Sequence, residues 1–309
     1  MNSIIVSTAS DIKEMRVRGA GKIARAGASA LTEYAEVYGS GDLEGFNSDM
    51  RKAAEVLLAS RPTAVSLWNG VNATLRDIGS AGSLEEAKAS VIRNGSGFVR
   101  SSEEAVGKIA KIGAKRIKDG DVIMTHCNSS VALGIIKEAA SRGKDIKVYA
   151  TESRPWRQGI LTVTDLANAG IDTTLIIDSA VRTVMKKVDR VFVGADTITS
   201  SGSLINKIGT SQVAMAAEES NVEFNACSET YKFSPKTMFG DVVTIEERDT
   251  REIVRPGEVP ESVKIFNPVF DTTPAKYIDN IITEIGIMSP GSVYGVMVRQ
   301  FGDRTADLL

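Results

Sequence analysis

A cysteine followed by three polar residues stands between a short apolar run and a helical segment. The apolar residues at 122–124 predict a strand buried on both faces, and THCNSS at 125–130 predicts the turn into a helix. Asn128 or Ser129 can cap that helix. A thiol at such a helix N-terminus, here Cys127, has a lowered pKa and can act as a base or nucleophile. The alternative is an inert buried cysteine, because free cysteine is among the most buried residue types.

An aspartate stands in the corresponding place after a second apolar run. Asp196 follows RVFVGA at 190–195, which predicts a further strand. In an open α/β sheet, ligands bind beyond the carboxyl ends of the strands, so Asp196 and Cys127 are expected at one site. A carboxyl group and a thiol there can donate and accept protons. The alternative for Asp196 is a helix cap or a loop carboxylate.

The segment TESRPWRQG at 151–159 follows another predicted strand and is dense in groups that bind oxygen-rich ligands. Arg154 can hold a phosphate through two parallel hydrogen bonds, and Glu152 and Gln158 can hold hydroxyl groups or neighbouring side chains. The alternative is a charged surface loop that is mostly solvated.

Two lysines are further candidates for binding a phosphate. Asn206 and Lys207 precede a predicted helix at 211–219 and could form a phosphate cradle, and Lys232 follows the next predicted strand. Anion-binding groups gathered around a thiol and a carboxyl group favour a small phosphorylated substrate.

A glycine-rich segment near the start of the chain, RGAG at 18–21, precedes an amphipathic helix. Its backbone N–H groups can face a phosphate. It is not a P-loop, because Arg16 stands where the first glycine would be and Ile23 follows the lysine. The alternative is a plain helix-initiating turn. Arg61, which precedes a proline, is another anion-binding candidate, with a solvated loop residue as its alternative.

The composition and the hydrophobic pattern of the sequence change near residue 119, and this change predicts two domains. Residues 1–118 are rich in Ala, Glu, Lys, Arg and Leu and predict a helical domain. Residues 119–309 alternate short β-branched runs with helical ones, which predicts βαβ units and a mostly parallel sheet. In the tail, we expect a helix within 264–286 and a final strand at 293–301. The fold class is therefore α/β.

The composition is that of a soluble globular protein and excludes other classes. With 37 basic and 39 acidic residues the net charge is −2, so no nucleic-acid partner is expected. No apolar run reaches the roughly 18 residues of a membrane span, and no leader is evident, so we expect no membrane partner and a cytoplasmic location. Two cysteines and one histidine exclude a disulfide scaffold and a zinc cluster. We expect no metal and no cofactor, and a structural or tuning role for His126.

Taken in order, these motifs resemble one family, the sugar-phosphate isomerases related to the regulatory subunits of eukaryotic initiation factor 2B. The segments that carry the resemblance span nearly the whole chain and are RGAGKIARAGASAL, RPTAVSLWN, THCNSS, ATESRPWRQG, DSAVRTVM, GADTIT, NKIGT and ETYKF. Within the superfamily the sequence is most similar to the isomerases that act on ribose 1,5-bisphosphate in AMP degradation. The methylthioribose-1-phosphate isomerases share the cysteine and aspartate motifs, but their first motif typically reads RGAP. A non-catalytic regulatory subunit is a third reading.

The resemblance implies an N-terminal helical domain followed by a Rossmann-like domain, and a homo-oligomer built as a dimer or a trimer of dimers. It implies that Cys127 accepts a proton and that Asp196 donates one. The substrate contacts that we expect, with Arg154 added from the loop at 151–159, are Arg18, Gly19, Ala20, Gly21, Arg61, Asn128, Ser129, Ser130, Arg154, Asn206, Lys207 and Lys232. AMP is a candidate activator.

The substrate chemistry sets opposite demands on the two reacting groups. In ribose 1,5-bisphosphate the anomeric oxygen is esterified, so the sugar cannot simply open to a free aldehyde. We expect the Cys127 thiolate to remove the C2 proton while a protonated Asp196 donates to the ring oxygen. This requires a depressed pKa for the thiol and a raised pKa for the carboxyl group.

Overall fold

The chain divides into two compact units in a computed structural model that describes residues 2–39 and 41–302. The units are Met1–Ala105 and Val106–Leu309. Their division lies inside the helix Leu84–Gly113, whereas the predicted boundary follows residue 118. The difference arises because the last turns of this helix supply apolar residues, among them Ile109, to the core of the second unit. The domain assignment at 118 and 119 stays a prediction.

The first unit is helical, as its composition predicts. Asn2 caps the first helix by accepting a 2.8 Å hydrogen bond from the backbone N–H of Ile4, and Asp42 caps the third by accepting from Gly45 at 2.7 Å. Buried apolar residues on one face of each helix form a shared core. The helices are α1 Ser3–Lys13, α2 Ala20–Glu36, α3 Leu43–Ser60, α4 Val65–Leu75 and α5 Leu84–Gly113, which continues into the second unit.

The second unit begins with alternating strands and helices, as predicted from the β-branched runs. Its elements up to the fourth strand are β1 Val122–Thr125, α6 Ser130–Ser141, β2 Lys147–Thr151, α7 Gly159–Asn168, β3 Asp172–Ile176, α8 Val181–Met185 and β4 Arg190–Val193. The later elements are β5 Thr197–Ile198, β6 Leu204–Lys207, α9 Thr210–Glu219, β7 Glu223–Cys227, β8 Phe270–Thr273, β9 Asn280–Thr283, β10 Gly286–Met288 and α10 Val293–Phe301.

The central sheet has seven strands in the order β10-β9-β7-β4-β1-β2-β3. All neighbouring strands are parallel except β9 and β10, which confirms the prediction of a mostly parallel sheet. The chain leaves β1 toward β2 and β3 in one direction and returns to place β4 on the other side of β1. The strand order therefore reverses between β1 and β4, and in open α/β sheets ligands bind at such a reversal.

A second, three-stranded antiparallel sheet with the order β5-β6-β8 was not predicted. Its central strand β6 pairs with β5 through the register Thr197↔Ile205 and with β8 through Ile205↔Thr272. The residue immediately before β5 is Asp196, and its backbone N–H donates a 3.0 Å hydrogen bond to the carbonyl oxygen of Ile205. This small sheet thus anchors the aspartate that follows β4.

Two expectations for the tail are wrong. The segment 293–301, predicted as a strand, is helix α10, because Val293, Val296 and Met297 form a buried face at helical spacing. The segment 264–286, predicted to contain a helix, holds β8, β9 and only a short 3-10 turn, since its isoleucines pair with buried strands. Within residues 2–39 and 41–302, none of the helices combines the length and hydrophobicity needed to cross a membrane.

Candidate active site

The Cys127 turn connects β1 to α6, as predicted. Ser129 is the N-cap of α6, and its hydroxyl oxygen accepts from the backbone N–H of Ala132 at 3.4 Å. Cys127 has a left-handed backbone with φ of 68°, which a non-glycine residue seldom adopts. Thr162 on α7 donates a 2.7 Å hydrogen bond to the carbonyl oxygen of Cys127 and accepts one of 3.0 Å from the side chain of Asn128. The turn is thus held from the neighbouring helix.

A second left-handed turn, after β2, supports the first. Ser153 has φ of 59°, and its hydroxyl oxygen accepts a 2.8 Å hydrogen bond from the backbone N–H of Cys127. The carboxylate of Asp178, which follows β3, accepts from the backbone N–H groups of Ser153 and Arg154, each at 2.8 Å. A left-handed non-glycine residue costs about 1–3 kcal/mol and persists only where the surroundings determine it. Strained residues cluster at functional sites, and these two face each other.

The loop at 151–159 brings Gln158 to the thiol. The Cys127 Sγ donates a long hydrogen bond, 3.6 Å, to the side-chain oxygen of Gln158. Glu152, expected to hold hydroxyl groups or neighbouring side chains, accepts a 3.2 Å hydrogen bond from Arg157, and Arg154 is exposed. The loop passes very close to its own strand at Gly159, where an added Cβ would lie 1.8 Å from the Thr151 carbonyl oxygen. Only glycine fits at that position.

Asp196 follows β4 as predicted, and β4 lies parallel to and directly beside β1. The turns after the two strands touch, because a Cβ added to Gly194 would lie 2.4 Å from the Ser129 hydroxyl oxygen. The negative charge of Asp196 also raises the pKa of Cys127, which requires the two groups to be near one another. The structure therefore brings the predicted thiol and carboxyl group to the same edge of the sheet.

The pKa of Cys127 departs from our expectation. Burial raises the pKa of the thiol from 9.0 to about 11, and the Asp196 and Asp178 charges add to that rise. The Lys207 charge and the backbone N–H of Asn128 lower the pKa of Cys127 but do not overcome the loss of hydration. The expectation of a depressed pKa is therefore wrong for this structure, because the protein atoms packed around the sulfur were not visible in the sequence pattern.

Asn206 and Lys207 end strand β6, and a tight turn separates them from α9. Lys207 is buried, with its Nζ 5.2 Å from the centre of the Phe270 ring, and its charge acts on Cys127. The Asn206 side chain is buried and donates a 3.0 Å hydrogen bond to Thr210 at the start of α9. Lys207 is thus the candidate cation for this site, while the Asn206 amide has a partner within the protein.

Lys232, another predicted phosphate contact, lies in a turn after β7. Its Nζ is 2.7 Å from a carboxylate oxygen of Glu229, and both side chains are buried. Tyr231 donates a 2.9 Å hydrogen bond to the other oxygen of the Glu229 carboxylate. An anion that binds Lys232 would therefore compete with Glu229.

The predicted contacts in the first unit lie at helix ends. Gly19, with φ of 88°, is the N-cap of α2, and Ala20 and Gly21 begin that helix. Arg18 donates a 2.8 Å hydrogen bond to the Met15 carbonyl oxygen. Arg61 is the C-cap of α3 and donates a hydrogen bond to the Met15 sulfur at 3.1 Å. Their role in binding a phosphate stays a prediction.

Sequence reasoning missed two residues that shape the site, Asp178 and Thr162. A signal for Asp178 was present, because it follows the predicted strand beside the one that ends at Thr151, where ligand-facing loops gather. Thr162 lies inside a helix and carried no such signal. Within the described residues, no three His, Cys, Asp or Glu side chains converge as metal ligands would.

The strand-order reversal, with a thiol and a carboxyl group on its two sides, is the candidate site of a Rossmann-like α/β fold. Residues 16–290 match the Initiation factor 2 subunit family, and the chain belongs to that family. The chain is 53% identical over 298 residues to the ribose 1,5-bisphosphate isomerase of Archaeoglobus fulgidus, covering 96% of this chain and 94% of that protein. By sequence it stands among the sugar-phosphate isomerases of the family.

Two solved structures share the fold. The translation initiation factor eIF-2B of Pyrococcus horikoshii OT3 superposes with a TM-score of 0.81 at 33% identity, over 94% of this chain and 98% of that one. The 5-methylthioribose 1-phosphate isomerase of the same organism gives a TM-score of 0.75 at 29% identity, over 97% of this chain and 87% of that one. The expected fold is confirmed. The same fold occurs in proteins described as an enzyme and as an initiation factor.

Proposed function

We propose that this chain isomerises ribose 1,5-bisphosphate to ribulose 1,5-bisphosphate, with Cys127 as the base and Asp196 as the acid. The observation that carries the proposal is the placement of these two groups after the adjacent strands β1 and β4, where the charge of one acts on the other. The high identity to a relative named for this reaction supports the choice of substrate.

The reaction moves two protons while the ring opens and two more while the ketose forms. Cys127 removes the C2 proton while Asp196 donates a proton to the ring oxygen, which breaks the bond between C1 and that oxygen. The product is an enol phosphate. Protonation at C1, together with loss of the C2 hydroxyl proton, gives the ketose bisphosphate. General acid and base groups placed in this way contribute about 10²–10⁴ in rate each.

The raised pKa of Cys127 changes how the active pair must form. With a pKa of about 11 the thiol is protonated at neutral pH, so the thiolate has to be made within the site. Transfer of the thiol proton to the Asp196 carboxylate makes the base and the acid in one step. The Lys207 charge, which lowers the pKa of Cys127, favours that transfer. A raised pKa for Asp196 is part of this proposal.

The substrate phosphates would be held by the basic and helix-end groups of the second unit that were predicted from the sequence. These are Asn128, Ser129 and Ser130 at the start of α6, with Arg154, Asn206, Lys207 and Lys232. The role of residues 18–21 and Arg61 in the first unit stays a prediction from the sequence. The supply of substrate from AMP degradation, activation by AMP and a homo-oligomeric assembly belong to the same proposal.

A methylthioribose-1-phosphate isomerase is the second enzymatic candidate, since a solved isomerase with that substrate in its name shares the fold. The lysines at 207 and 232 favour a substrate with two phosphates over one with an apolar methylthio group. A regulatory subunit is the non-catalytic candidate. Such a protein does not need a thiol and a carboxyl group at the same site.

The decisive experiment offers each sugar phosphate to the purified protein in deuterated water and follows the products by proton NMR, with and without AMP. We expect ribulose 1,5-bisphosphate from ribose 1,5-bisphosphate, with solvent deuterium at C1. Retained hydrogen at C1 would point to shielded proton return or hydride transfer. Conversion of only methylthioribose 1-phosphate would replace the proposed substrate. If neither sugar reacts, the catalytic assignment is wrong, and binding to an initiation-factor partner becomes the next test.

A further inference from the structure

The only histidine of the chain, His126, lies beside Cys127 and is almost completely buried. Both ring nitrogens have partners. Nδ1 is 2.5 Å from the hydroxyl oxygen of Thr151 at the end of β2, and Nε2 is 2.8 Å from the carbonyl oxygen of Ile208. The ring therefore connects the turn after β2 with the turn after β6.

The identity of the Nε2 partner fixes the proton position on the neutral ring. A carbonyl oxygen can only accept, so Nε2 must carry the hydrogen and donate it to Ile208. In the neutral ring Nδ1 is then an acceptor, and the Thr151 hydroxyl donates to it. The donor direction of the hydrogen bonds beyond Thr151 follows from that of the bond between Thr151 and His126.

Those later hydrogen bonds end at the backbone of Cys127. Since the Thr151 hydroxyl has given its hydrogen to His126, its oxygen accepts from the Ser153 hydroxyl, 3.2 Å away. The Ser153 oxygen in turn accepts the backbone N–H of Cys127 at 2.8 Å. In this direction each hydroxyl donates once and accepts once, whereas the other acceptors of the Ser153 hydroxyl, His126 Nδ1 and the Thr151 carbonyl oxygen, both lie at the longer distance of 3.5 Å.

A charged imidazolium would reverse the direction of these hydrogen bonds. Nδ1–H would then donate to Thr151, the Thr151 hydroxyl would turn toward Ser153, and the remaining acceptor for Ser153 would be the Thr151 carbonyl oxygen at 3.5 Å. Burial lowers the pKa of His126, and the Lys207 charge lowers it further. The hydrogen bond to the Ile208 carbonyl oxygen and the Asp178 and Asp271 charges raise the pKa of His126 but do not overcome the effect of burial, so the ring is neutral near pH 7.

The far end of the ring is equally well held. Ile208 lies between Lys207 and Gly209, and the Asp271 carboxylate accepts the backbone N–H of Gly209 at 2.8 Å and that of Ser211 at 3.1 Å. His126 thus joins the strand that presents Lys207 to the turn that presents Cys127.

We propose that His126 is a positioning residue whose neutral Nε2–H form directs the hydrogen bonds through Thr151 and Ser153 that fix the left-handed backbone of Cys127. The histidine itself has no contact with substrate in this account. Its catalytic consequence rests on the isomerase function proposed above, whereas the tautomer and the geometry of the thiol do not.

The first test reads the tautomer directly. In protein labelled with ¹⁵N-histidine, the single side chain gives one pair of ring nitrogen signals, which needs no assignment. We expect the neutral Nε2–H pattern at about pH 7 to pH 8, and an onset of protonation at lower pH than for an unperturbed histidine. An Nδ1–H tautomer, or an imidazolium at neutral pH, would overturn the proposal.

The second test breaks the chain of bonds away from the reacting groups. Thr151→Val removes the hydroxyl with little change in shape, and Thr151→Ser keeps the hydroxyl and serves as the matched control. We expect the Val variant to lose about 100-fold in kcat with KM changed by less than about twofold, because misplacement of a base costs that much. The Ser variant should keep kcat within about fivefold of the parent protein. Equal kcat for all three proteins would overturn the proposal.

A third readout separates this proposal from the proposed function. Iodoacetamide labelling of Cys127 is followed by mass spectrometry at pH 8, without any sugar. Releasing the turn should hydrate the sulfur and move the pKa of the thiol toward 9.0, and each pKa unit raises the thiolate fraction about tenfold. Faster labelling in Thr151→Val than in Thr151→Ser supports the positioning role even if the parent protein isomerises neither sugar. Equal labelling would refute it.

Discussion

The ammonium group of Lys232 lies 2.7 Å from a carboxylate oxygen of Glu229, and both side chains are almost completely buried in the turn after β7. Neither charge can be removed alone without leaving the other without its partner in a dry environment. This pair therefore decides whether Lys232 acts mainly on stability or on substrate.

Lys232→Met should destabilise the protein by about 3–5 kcal/mol, because removing one member of a buried ion pair leaves an uncompensated charge. The double variant Lys232→Met with Glu229→Gln should recover most of that loss. Urea unfolding of the two single variants and the double variant measures the coupling. A loss below about 1 kcal/mol in Lys232→Met would show that the pair is not stabilising in the way we describe.

The same pair predicts a pH dependence of stability. Burial alone would raise the pKa of Glu229, but the Lys232 charge and the hydrogen bonds of Lys232 and Tyr231 hold it below its ordinary value of 4.5. A carboxyl group with a depressed pKa stabilises the fold above its ordinary pKa, and this contribution is lost as pH falls through the lower folded value. Unfolding free energies of the parent protein should therefore fall more steeply below pH 4.5 than those of Glu229→Gln. Parallel profiles would contradict the assignment.

Cys127→Ser and Asp196→Asn should each lower kcat by about 10²–10⁴ with small effects on KM, because each removes a group that moves a proton in the reaction. Cys227→Ala is the matched control for the first, since Cys227 is a fully buried thiol at the end of β7 that has no role in the proposal. Substrate turnover in the isomerase assay measures all three. Near-normal kcat in either active-site variant would refute the acid–base assignment.

Lys207→Met should slow alkylation of Cys127. The Lys207 charge lowers the pKa of the thiol, so its loss moves that pKa further above about 11 and reduces the thiolate present at a given pH. Lys207→Arg keeps the charge and is the control. Labelling rates of the variants are compared from about pH 8 to pH 10, a range that includes the pKa of an ordinary thiol. An unchanged rate in Lys207→Met would remove Lys207 from the group of residues that tune the thiol.

Gly159→Ala should destabilise the protein by about 1–3 kcal/mol or more, because its Cβ would meet the Thr151 carbonyl oxygen and force the two segments apart. The control is Gly97→Ala on α5, where no atom lies near the added Cβ and the substitution should stabilise the helix by about 0.5–1 kcal/mol. Thermal unfolding of both variants tests the contrast. A Gly159→Ala protein as stable as the parent would show that the loop can shift without cost.

Local patterns in the sequence were sufficient to place the candidate thiol and carboxyl group at one edge of the sheet. Cys127 and Asp196 each follow an apolar run, and the structure places those runs side by side as β1 and β4. The cap at Ser129 was also predictable, since it depends only on residues within the same turn. These features are local, and local propensity determines them.

Features that depend on distant residues were not predictable. The antiparallel sheet is built from short strands whose partners lie far apart in the chain, as in Ile205 and Thr272. Helix α10 has the β-branched composition of a strand, and only its packing shows which residues are buried. The prediction of a depressed pKa for Cys127 failed for the same reason, because burial depends on the surrounding residues and not on the motif.

The proposed acid, Asp196, and the proposed base, Cys127, stand on separate strand-to-turn segments, and neither side chain belongs to the buried apolar cores. If the proposed roles hold, a single substitution at 127 or 196 would therefore strongly slow proton transfer while the core keeps all of its apolar contacts. Such a change would turn an enzyme into a binding protein of the same shape without any intermediate that fails to fold. In this architecture, catalysis can be lost by one mutation, and the scaffold remains available for another use.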